Sequence, residues 1–331
     1  MVSFIDCHLS LRRCSPFNGG KFEGWGTSFC WWPNRIGYLD ELSEQAAKLF
    51  FDPKEGLGLN IIRYNIGGGD DPTHHHITRT DSMVPGYAIN PSHDANGYHW
   101  SYDWNADQNQ RNVLMKVAEC YGKDLIVEGF SNSPPYFMTN SGCSSGSVNA
   151  GENNLREDAY GAFASYLADV AQHFSKEWGI HFQSMTAMNE PDTEYWHALS
   201  DKQEGCHFDP GESQSVMIIA LREALDERGL NDILISGTDE TGIDCQINSI
   251  NSLSEVARET IARIDTHSYL EGDNEGLRKL AQAIIKTCGC QKLMAAIHQD
   301  SMQGRWGQHY GWQTRYFDIN DFSQQLGFYG R

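Results

Sequence analysis

The 331-residue chain has few basic residues and no long apolar run. Its 25 Lys and Arg residues stand against 44 Asp and Glu residues, which gives a formal net charge of −19 at pH 7. Nucleic acids and anionic membranes are recognised through basic faces, so neither is an expected partner. No stretch of about 18 apolar residues occurs, so the sequence predicts no transmembrane helix. This balance suits a neutral substrate.

The chain also lacks the cysteine spacing of a zinc site. Its nine cysteines are scattered, and Cys288 and Cys290 have one residue between them and no second pair nearby. Zinc-binding cysteines are usually two to four residues apart and are matched by a second pair. The consecutive residues His74, His75 and His76 are interpreted as a loop feature. The sequence therefore predicts no metal and no cofactor.

From Gly20 onward, short apolar runs alternate with segments of helical periodicity. Strands are predicted in 22–32, 59–71, 124–138, 180–191, 232–241, 263–272 and 291–297. Helices are predicted at 44–51, 109–122, 157–179, 213–229, 253–262 and 275–289. Such alternation predicts parallel βαβ units.

A TIM-type (β/α)8 barrel takes about 250 residues and is the expected α/β fold. A doubly wound open sheet is the alternative, but "IGGG" is followed by "DDPTHHH" rather than by a helix. The segment 294–331 offers no clear eighth strand. We therefore expect an incomplete barrel of about seven strands, whose first and last strands have unpaired edges.

Polar and aromatic residues follow the predicted strands, where the mouth of a barrel holds active sites. These residues are Trp25, Arg63, Asn65, Asn132, Asn189, Glu190, Asp239, Glu240, His267 and Tyr269. This repeated placement indicates an enzyme-like site at the carboxyl ends of the strands.

Glu190 lies between Asn189 and Pro191, directly after a short apolar run. A carboxyl group in a partly apolar mouth can protonate a leaving oxygen, although a helix cap or surface loop would also explain it. Arg63 could hold a carboxylate ionised or form a structural ion pair. His267 and Tyr269, two residues apart on one strand, share a face and could contact a sugar or close the barrel layer.

Five segments, in this order, resemble glycoside hydrolase family 30, and specifically its fungal endo-β-1,6-galactanase-like branch. They are "FEGWGTSFCWW", "GLGLNIIRYNIGGGDD", "SNSPPYFMTNSG", "TAMNEP" and "THSY", and the resemblance extends from about Gly20 to Leu293. It implies a (β/α)8 barrel, a β-linked galactan or related oligosaccharide as ligand, and a retaining mechanism with two glutamates. Glu190 would be the acid/base. The residues expected to bind substrate or support the nucleophile are Trp25, Arg63, Asn132, Tyr136, Asn189, His267 and Tyr269.

The resemblance also predicts a nucleophilic Glu near Ile297, where this chain has "QKLMAAIHQD". No Glu occurs from residue 276 to residue 331. Asp300, Glu240 or Glu271 could supply a substitute carboxylate. Three interpretations stay open: a galactanase-like hydrolase with doubtful turnover, a non-catalytic carbohydrate-binding barrel, and a truncated gene product.

The resemblance divides the chain into three parts. Residues 1–19 form a divergent N-terminal segment, 20–293 the glycoside hydrolase barrel, and 294–331 a divergent tail. A shifted reading frame, a retained intron or a mis-joined exon would each produce such a tail. The β-sandwich that accompanies the family's barrel is not expected here. The family implies secretion, but the N-terminal segment has no signal-peptide pattern, so the localisation stays open.

Overall fold

A computed structural model describes residues 23–270, 272–288, 294–299 and 315–317. The strands in these residues are β1 (Gly26–Ser28), β2 (Ile61–Asn65), β3 (Ala88–Asp94), β4 (Gly97–Tyr102), β5 (Ile126–Phe130), β6 (Ser184–Thr186), β7 (Leu234–Gly242), β8 (Ile261–Leu270), β9 (Met294–Gln299) and β10 (Arg315–Phe317). All except β3 and β4 form one closed parallel barrel in the order β1-β10-β9-β8-β7-β6-β5-β2. The predicted α/β barrel is confirmed.

Helices connect the barrel strands, as βαβ units require. They are α1 (Trp32–Ile36), α2 (Asp40–Phe51), α3 (Gln108–Tyr121), α4 (Tyr160–Trp178), α5 (Glu212–Glu227), α6 (Ile243–Ser252), α7 (Glu255–Thr260) and α8 (Asn274–Cys288). Each predicted strand and helix overlaps an observed element. The sequence did not indicate α1, α6 or the β3–β4 hairpin.

The end of the barrel is formed by strands that follow residue 293. Seven barrel strands precede residue 300, as expected, but β10 lies between β9 and β1 and closes the sheet. Both β9 and β10 lie beyond the predicted boundary at Leu293. Three residues are too few for a periodicity signal, which explains why β10 was missed. Residues 1–19 lie outside the described part of the chain.

Alternation along β2 separates two packed regions. Ile62 and Tyr64 face outward into the large hydrophobic core between the barrel and its helices, while Ile61 packs against Ile126 of β5 in a separate small cluster. Successive side chains of a strand point to opposite faces. Arg63, which lies between Ile62 and Tyr64, therefore faces the barrel interior, where it is fully buried.

Charged residues occupy this interior. Strand register pairs Arg63 with Glu128 of β5, and Glu128 in turn with Ser184 of β6. The Ser184 hydroxyl donates to Glu128 at 3.0 Å. From β8, Arg263 reaches Glu128 with an Nε–Oε2 distance of 3.1 Å. Polar residues thus link strands from different sides of the barrel.

The long segment after β2 packs on α4 before the chain enters α3. It contains the antiparallel β3–β4 hairpin, whose turn is closed by a bond from the Asn96 amide to Asp94 at 2.7 Å. Tyr166 of α4 donates its hydroxyl hydrogen to the Gly67 carbonyl at 2.6 Å and accepts from the Tyr87 amide at 3.1 Å. One buried phenol therefore fixes both ends of the segment that leads into the hairpin.

Among the described residues, no helix is both long and apolar enough to cross a bilayer.

We predict that Tyr166→Phe lowers the free energy of unfolding by about 1–3 kcal/mol, because the Tyr87 amide and the Gly67 carbonyl lose a buried partner. Urea denaturation followed by circular dichroism would measure this. Tyr38→Phe is the control, since Tyr38 is 64% exposed. Equal stabilities of the two variants would contradict this role of Tyr166.

Candidate active site

Glu190 lies in the mouth of the barrel, shortly after the carboxyl end of β6. It is 7% exposed and lines a cavity of about 510 Å³. The cavity is lined by Cys30, Trp31, Arg63, Asn132, Asn189, Glu190, Tyr195, Trp196, Ser200, Lys202, Gln203, Thr241 and Tyr269. Glu190 is the one carboxylate among these described lining residues. Four of the others are aromatic.

Arg63 connects the residue beside Glu190 to the opposite side of the barrel. Its Nη2 donates to Asn189 Oδ1 at 2.8 Å and also to Asp239 of β7. The guanidinium carbon lies 3.3 Å from the centre of the Phe130 ring, which is a cation–π geometry. Arg63 thus fixes the side chain of Asn189 and neutralises Asp239.

His267 of β8 lies between two carboxylates. Its Nδ1 is 3.1 Å from Glu190 Oε1, and its Nε2 is 3.3 Å from Asp239 Oδ1. The imidazole is completely buried. An imidazole in this position orients Glu190 and couples its charge to that of Asp239.

The backbone at both carboxylates is in the left-handed region. Glu190 has φ of 49° and Asp239 has φ of 62°. The Glu190 amide donates to the Asp239 carbonyl at 2.8 Å, so a hydrogen bond links the backbones of these two residues. Non-glycine residues in this region each cost about 1–2 kcal/mol, and such residues cluster at functional sites. The pair directs both side chains toward His267.

Two aromatic residues complete the surroundings of Glu190. The Tyr195 hydroxyl donates to Glu190 Oε2, and Trp196 Nε1 donates to the Glu190 carbonyl at 3.0 Å. Burial, together with the adjacent Glu190, raises the pKa of Tyr195 well above its ordinary value. Tyr195 therefore stays a hydrogen-bond donor over the whole physiological pH range.

Asn132 and Tyr269 contribute the polar part of the cavity wall. Asn132 follows β5 and is 3% exposed, and its Nδ2 has no hydrogen-bond partner among the described residues. A buried amide without a partner is costly unless a ligand or water satisfies it. Tyr269 lies beside His267, with ring centres 5.3 Å apart, and is 40% exposed. Both positions agree with the sequence prediction of residues at the mouth.

Trp25 and Tyr136 are not part of this cavity. Trp25 precedes β1, and its carbonyl accepts hydrogen bonds from the amides of Asn60 and Ile61 at the amino end of β2. It therefore lies at the face of the barrel opposite the mouth, because the strand begins only at Gly26. Tyr136 lines a different cavity of about 630 Å³. Trp31, which follows β1, lines the Glu190 cavity instead.

Among the described residues, no predicted candidate for the second carboxylate faces the cavity. Glu240 accepts from Ser249 at 2.6 Å and from Gln214 at 3.0 Å, so it faces α5 and α6 rather than the mouth. Ile297 lies in β9, paired with Thr266, and the residues of β9 include no carboxylate. Asp300 and Glu271 lie outside the described residues.

The charged residues below the mouth had no predicted role. Arg263 donates to Asp265 at 2.8 Å and lies near Glu128, and all three are buried. Burial, reinforced by Asp265, raises the pKa of Glu128 to about 8. Burial likewise raises the pKa of Asp265. Inward-facing charges at alternate strand positions give no periodic signal of their own, because they replace apolar residues one for one.

The fold and the cavity define a parallel (β/α)8 barrel protein with a buried carboxyl group between aromatic residues at its mouth, the position of active sites in such barrels. The chain belongs to O-glycosyl hydrolase family 30, whose model matches residues 22–255. The resemblance predicted from the sequence segments is thereby confirmed.

Three known proteins are similar to this chain in sequence or in fold. An endo-β-1,6-galactanase from Hypocrea rufa is 37% identical over 274 residues, which cover 77% of this chain and 54% of that protein. An exo-β-1,6-galactobiohydrolase from Bifidobacterium longum subsp. longum is 26% identical. That match covers 81% of this chain and 23% of the galactobiohydrolase. This chain thus spans about half of the first relative and about a quarter of the second.

A solved structure of a conserved exported protein from Bacteroides fragilis has a TM-score of 0.63 at 23% identity, and the match covers 83% of this chain and 59% of that one. At this identity the likeness concerns the fold alone.

We predict that the stability of the protein falls as the pH rises from about 5 to about 8, in part because of Glu128. A carboxyl with a raised folded-state pKa binds its proton more tightly in the folded state than in the unfolded state. Its stabilising contribution is complete below the unfolded value of about 4.5 and is lost as the pH passes the folded value of about 8. Urea midpoints across this pH range would measure the slope.

Glu128→Gln removes this titration and should flatten the slope, whereas Glu119→Gln, at an exposed helical position, should keep it. A wild-type slope in Glu128→Gln would contradict the assignment.

Proposed function

We propose that this barrel is a glycoside hydrolase acting on β-1,6-linked galactan, with Glu190 as the proton donor to the leaving oxygen. The observation that supports this most directly is the position of Glu190. It is the one carboxylate among the described residues of the cavity, and both its oxygens are oriented by neighbours. The names of the two β-1,6-galactan-active relatives supply the substrate class.

The residues around Glu190 suit a sugar ligand. Trp31, Tyr195 and Trp196 offer flat apolar faces, and the Asn132 amide offers a buried donor. Sites for neutral, polar ligands combine apolar walls with a few fixed polar groups in this way. Asn189, held by Arg63, would contact a hydroxyl of the sugar next to the scissile bond.

Proton transfer requires that Glu190 be protonated before the reaction and accept a proton afterwards. Tyr195 donates to one of its oxygens, while His267 lies at the other. The two contacts fix the plane of the carboxyl group, so its proton can be aimed at the leaving oxygen. Arg63 and Asp239 balance the charge on the far side of His267.

A retaining hydrolase needs a second carboxylate about 5–5.5 Å from the first. The resemblance implies that the strand corresponding to β9 ends in the nucleophile. Asp300 directly follows β9, so its sequence position makes it the candidate nucleophile. The Asp side chain is one methylene shorter than that of Glu. Whether Asp300 can act as the nucleophile therefore depends on whether its carboxylate comes close enough to the sugar. A water activated by another carboxylate would instead require a wider separation and give inversion.

The missing Glu favours a second candidate function, a carbohydrate-binding barrel without turnover. From residue 276 to residue 331 the chain has no Glu, although it keeps the cavity residues Arg63, Asn132 and Asn189. Such a protein would bind the same oligosaccharides through the same walls and release no product.

We predict that Glu190→Gln lowers reducing-sugar release from β-1,6-galactan by about 10²–10⁴-fold, because the proton donor is lost. Binding of a β-1,6-galacto-oligosaccharide, measured by calorimetry, should change little since the walls are intact. Glu194→Gln, an exposed residue four positions away, should retain wild-type activity.

Equal activity of wild type and Glu190→Gln would overturn the assignment of Glu190. Binding without release from the folded wild-type chain would favour the second candidate. If wild type is active and Asp300→Asn is inactive but still binds, Asp300 becomes the nucleophile.

A further inference from the structure

Four potential metal ligands meet in the loops that follow β2 and β5. The cluster consists of Asp70, His74, His76 and Cys143, whose ligand atoms all lie within 4.8 Å of one another. Cys143 is buried, and the other three are partly exposed. His75, between the two histidines, is exposed and takes no part. Alternate residues of the histidine run therefore converge, which the sequence interpretation did not foresee.

Three of the distances in this cluster are close to the edges of a metal-ligand tetrahedron. His74 Nδ1 lies 3.2 Å from Asp70 Oδ1, and His76 Nε2 lies 3.4 Å from Asp70 Oδ2. Cys143 Sγ lies 3.5 Å from His76 Nε2. Ligands bound to zinc at about 2.0–2.3 Å are separated by about 3.3–3.6 Å in a tetrahedron. These three distances are therefore close to those that a small bound cation would impose, and all four ligand atoms lie within 4.8 Å of one another.

Hydrogen bonds and close polar contacts already link the side chains of this cluster. His76 Nε2 lies within 3.5 Å of Asp70 Oδ2, Ser145 Oγ and Cys143 Sγ. His76 Nε2 is thus shared among a carboxylate, a hydroxyl and a thiol, of which the last two can also donate a hydrogen bond. A cation between the imidazoles, the carboxylate and the sulfur would attract all four groups together.

The charge and the surrounding donors also suit a divalent cation. One thiolate, one carboxylate and two neutral imidazoles carry two negative charges, which a dication neutralises. The Leu199 amide points at Cys143 Sγ, with a distance of 3.3 Å, and the Ser144 amide donates to Asp70 Oδ1 at 3.1 Å. Such outer donors orient metal ligands and stabilise their charged forms.

We propose that Asp70, His74, His76 and Cys143 form a structural site for a divalent transition-metal ion, with Zn²⁺ as the ion that the mixed nitrogen, oxygen and sulfur donors fit best. The proposal does not depend on the carbohydrate chemistry. With all four positions filled by protein, the ion has no open coordination position and serves to hold the fold rather than to catalyse.

The ion would join three loops at the mouth of the barrel. Asp70 and the histidines come from the loop after β2, Cys143 from the loop after β5, and Leu199 from the loop after β6. Ser200, the next residue, lines the Glu190 cavity, and its amide bonds to Ser145 at 3.1 Å. The metal site would therefore fix one wall of that cavity.

The test uses the full chain, zinc chloride and cobalt chloride. After incubation with zinc and desalting, we expect about one zinc ion per chain by elemental analysis. Cobalt should give a thiolate-to-metal charge-transfer band in the near ultraviolet, which reports directly on Cys143. His76→Ala and Cys143→Ser should weaken zinc binding by more than about 100-fold, beyond the loss caused by removing an outer hydrogen-bond partner.

His75→Ala and Cys120→Ser, both exposed residues, are the matched controls and should bind as wild type does. Because Cys143 is buried, circular dichroism must show that Cys143→Ser is folded, and His74→Ala supplies a variant at a more exposed ligand. No stoichiometric zinc in the wild-type chain would overturn the proposal. So would a cobalt band, or undiminished zinc binding, that persists in folded Cys143→Ser.

Discussion

The buried guanidinium of Arg63 is the group on which the arrangement of the mouth depends. It contacts Asp239 and Asn189 directly, and it lies over the Phe130 ring inside the barrel. Asp239 in turn contacts His267, and His267 contacts Glu190. The position of the cavity's carboxyl group thus depends on a chain of polar contacts that begins at β2. Removing one member of a buried pair costs about 3–5 kcal/mol, because its partner keeps an uncompensated charge.

The same interior explains why carboxyl groups in this barrel hold protons tightly. Arg63 and Arg263 are the guanidinium groups that face Glu128, Asp239 and Asp265, so acids outnumber bases among these described residues. Burial adds to the imbalance by disfavouring charge, and the raised pKa values of Glu128 and Asp265 follow from both effects. Burying these carboxyl and guanidinium groups costs stability, and their contacts fix the positions of the groups above them.

Much of this could be predicted from the sequence, because the signals are local. Apolar runs and helical periodicity located the strands and helices, and strand ends located Arg63, Asn189, Glu190 and His267. The errors came from features without a local signal. Trp25 was assigned to the mouth because the start of β1 was placed too early, and β10 is only three residues long. The cluster of Asp70 and Cys143 depends on residues 73 positions apart, which only the folded loops bring together.

The most direct test of the account is a crystal structure of the Glu190→Gln chain with a bound β-1,6-galacto-oligosaccharide. We expect the sugar in the cavity between Trp31 and Tyr269, with a glycosidic oxygen within hydrogen-bonding distance of residue 190 and a hydroxyl oxygen accepting from Asn132 Nδ2. The same map would identify the carboxylate that faces the anomeric carbon. A sugar bound elsewhere, or a cavity whose Asn132 amide stays unpaired in the complex, would contradict the assignment of this site.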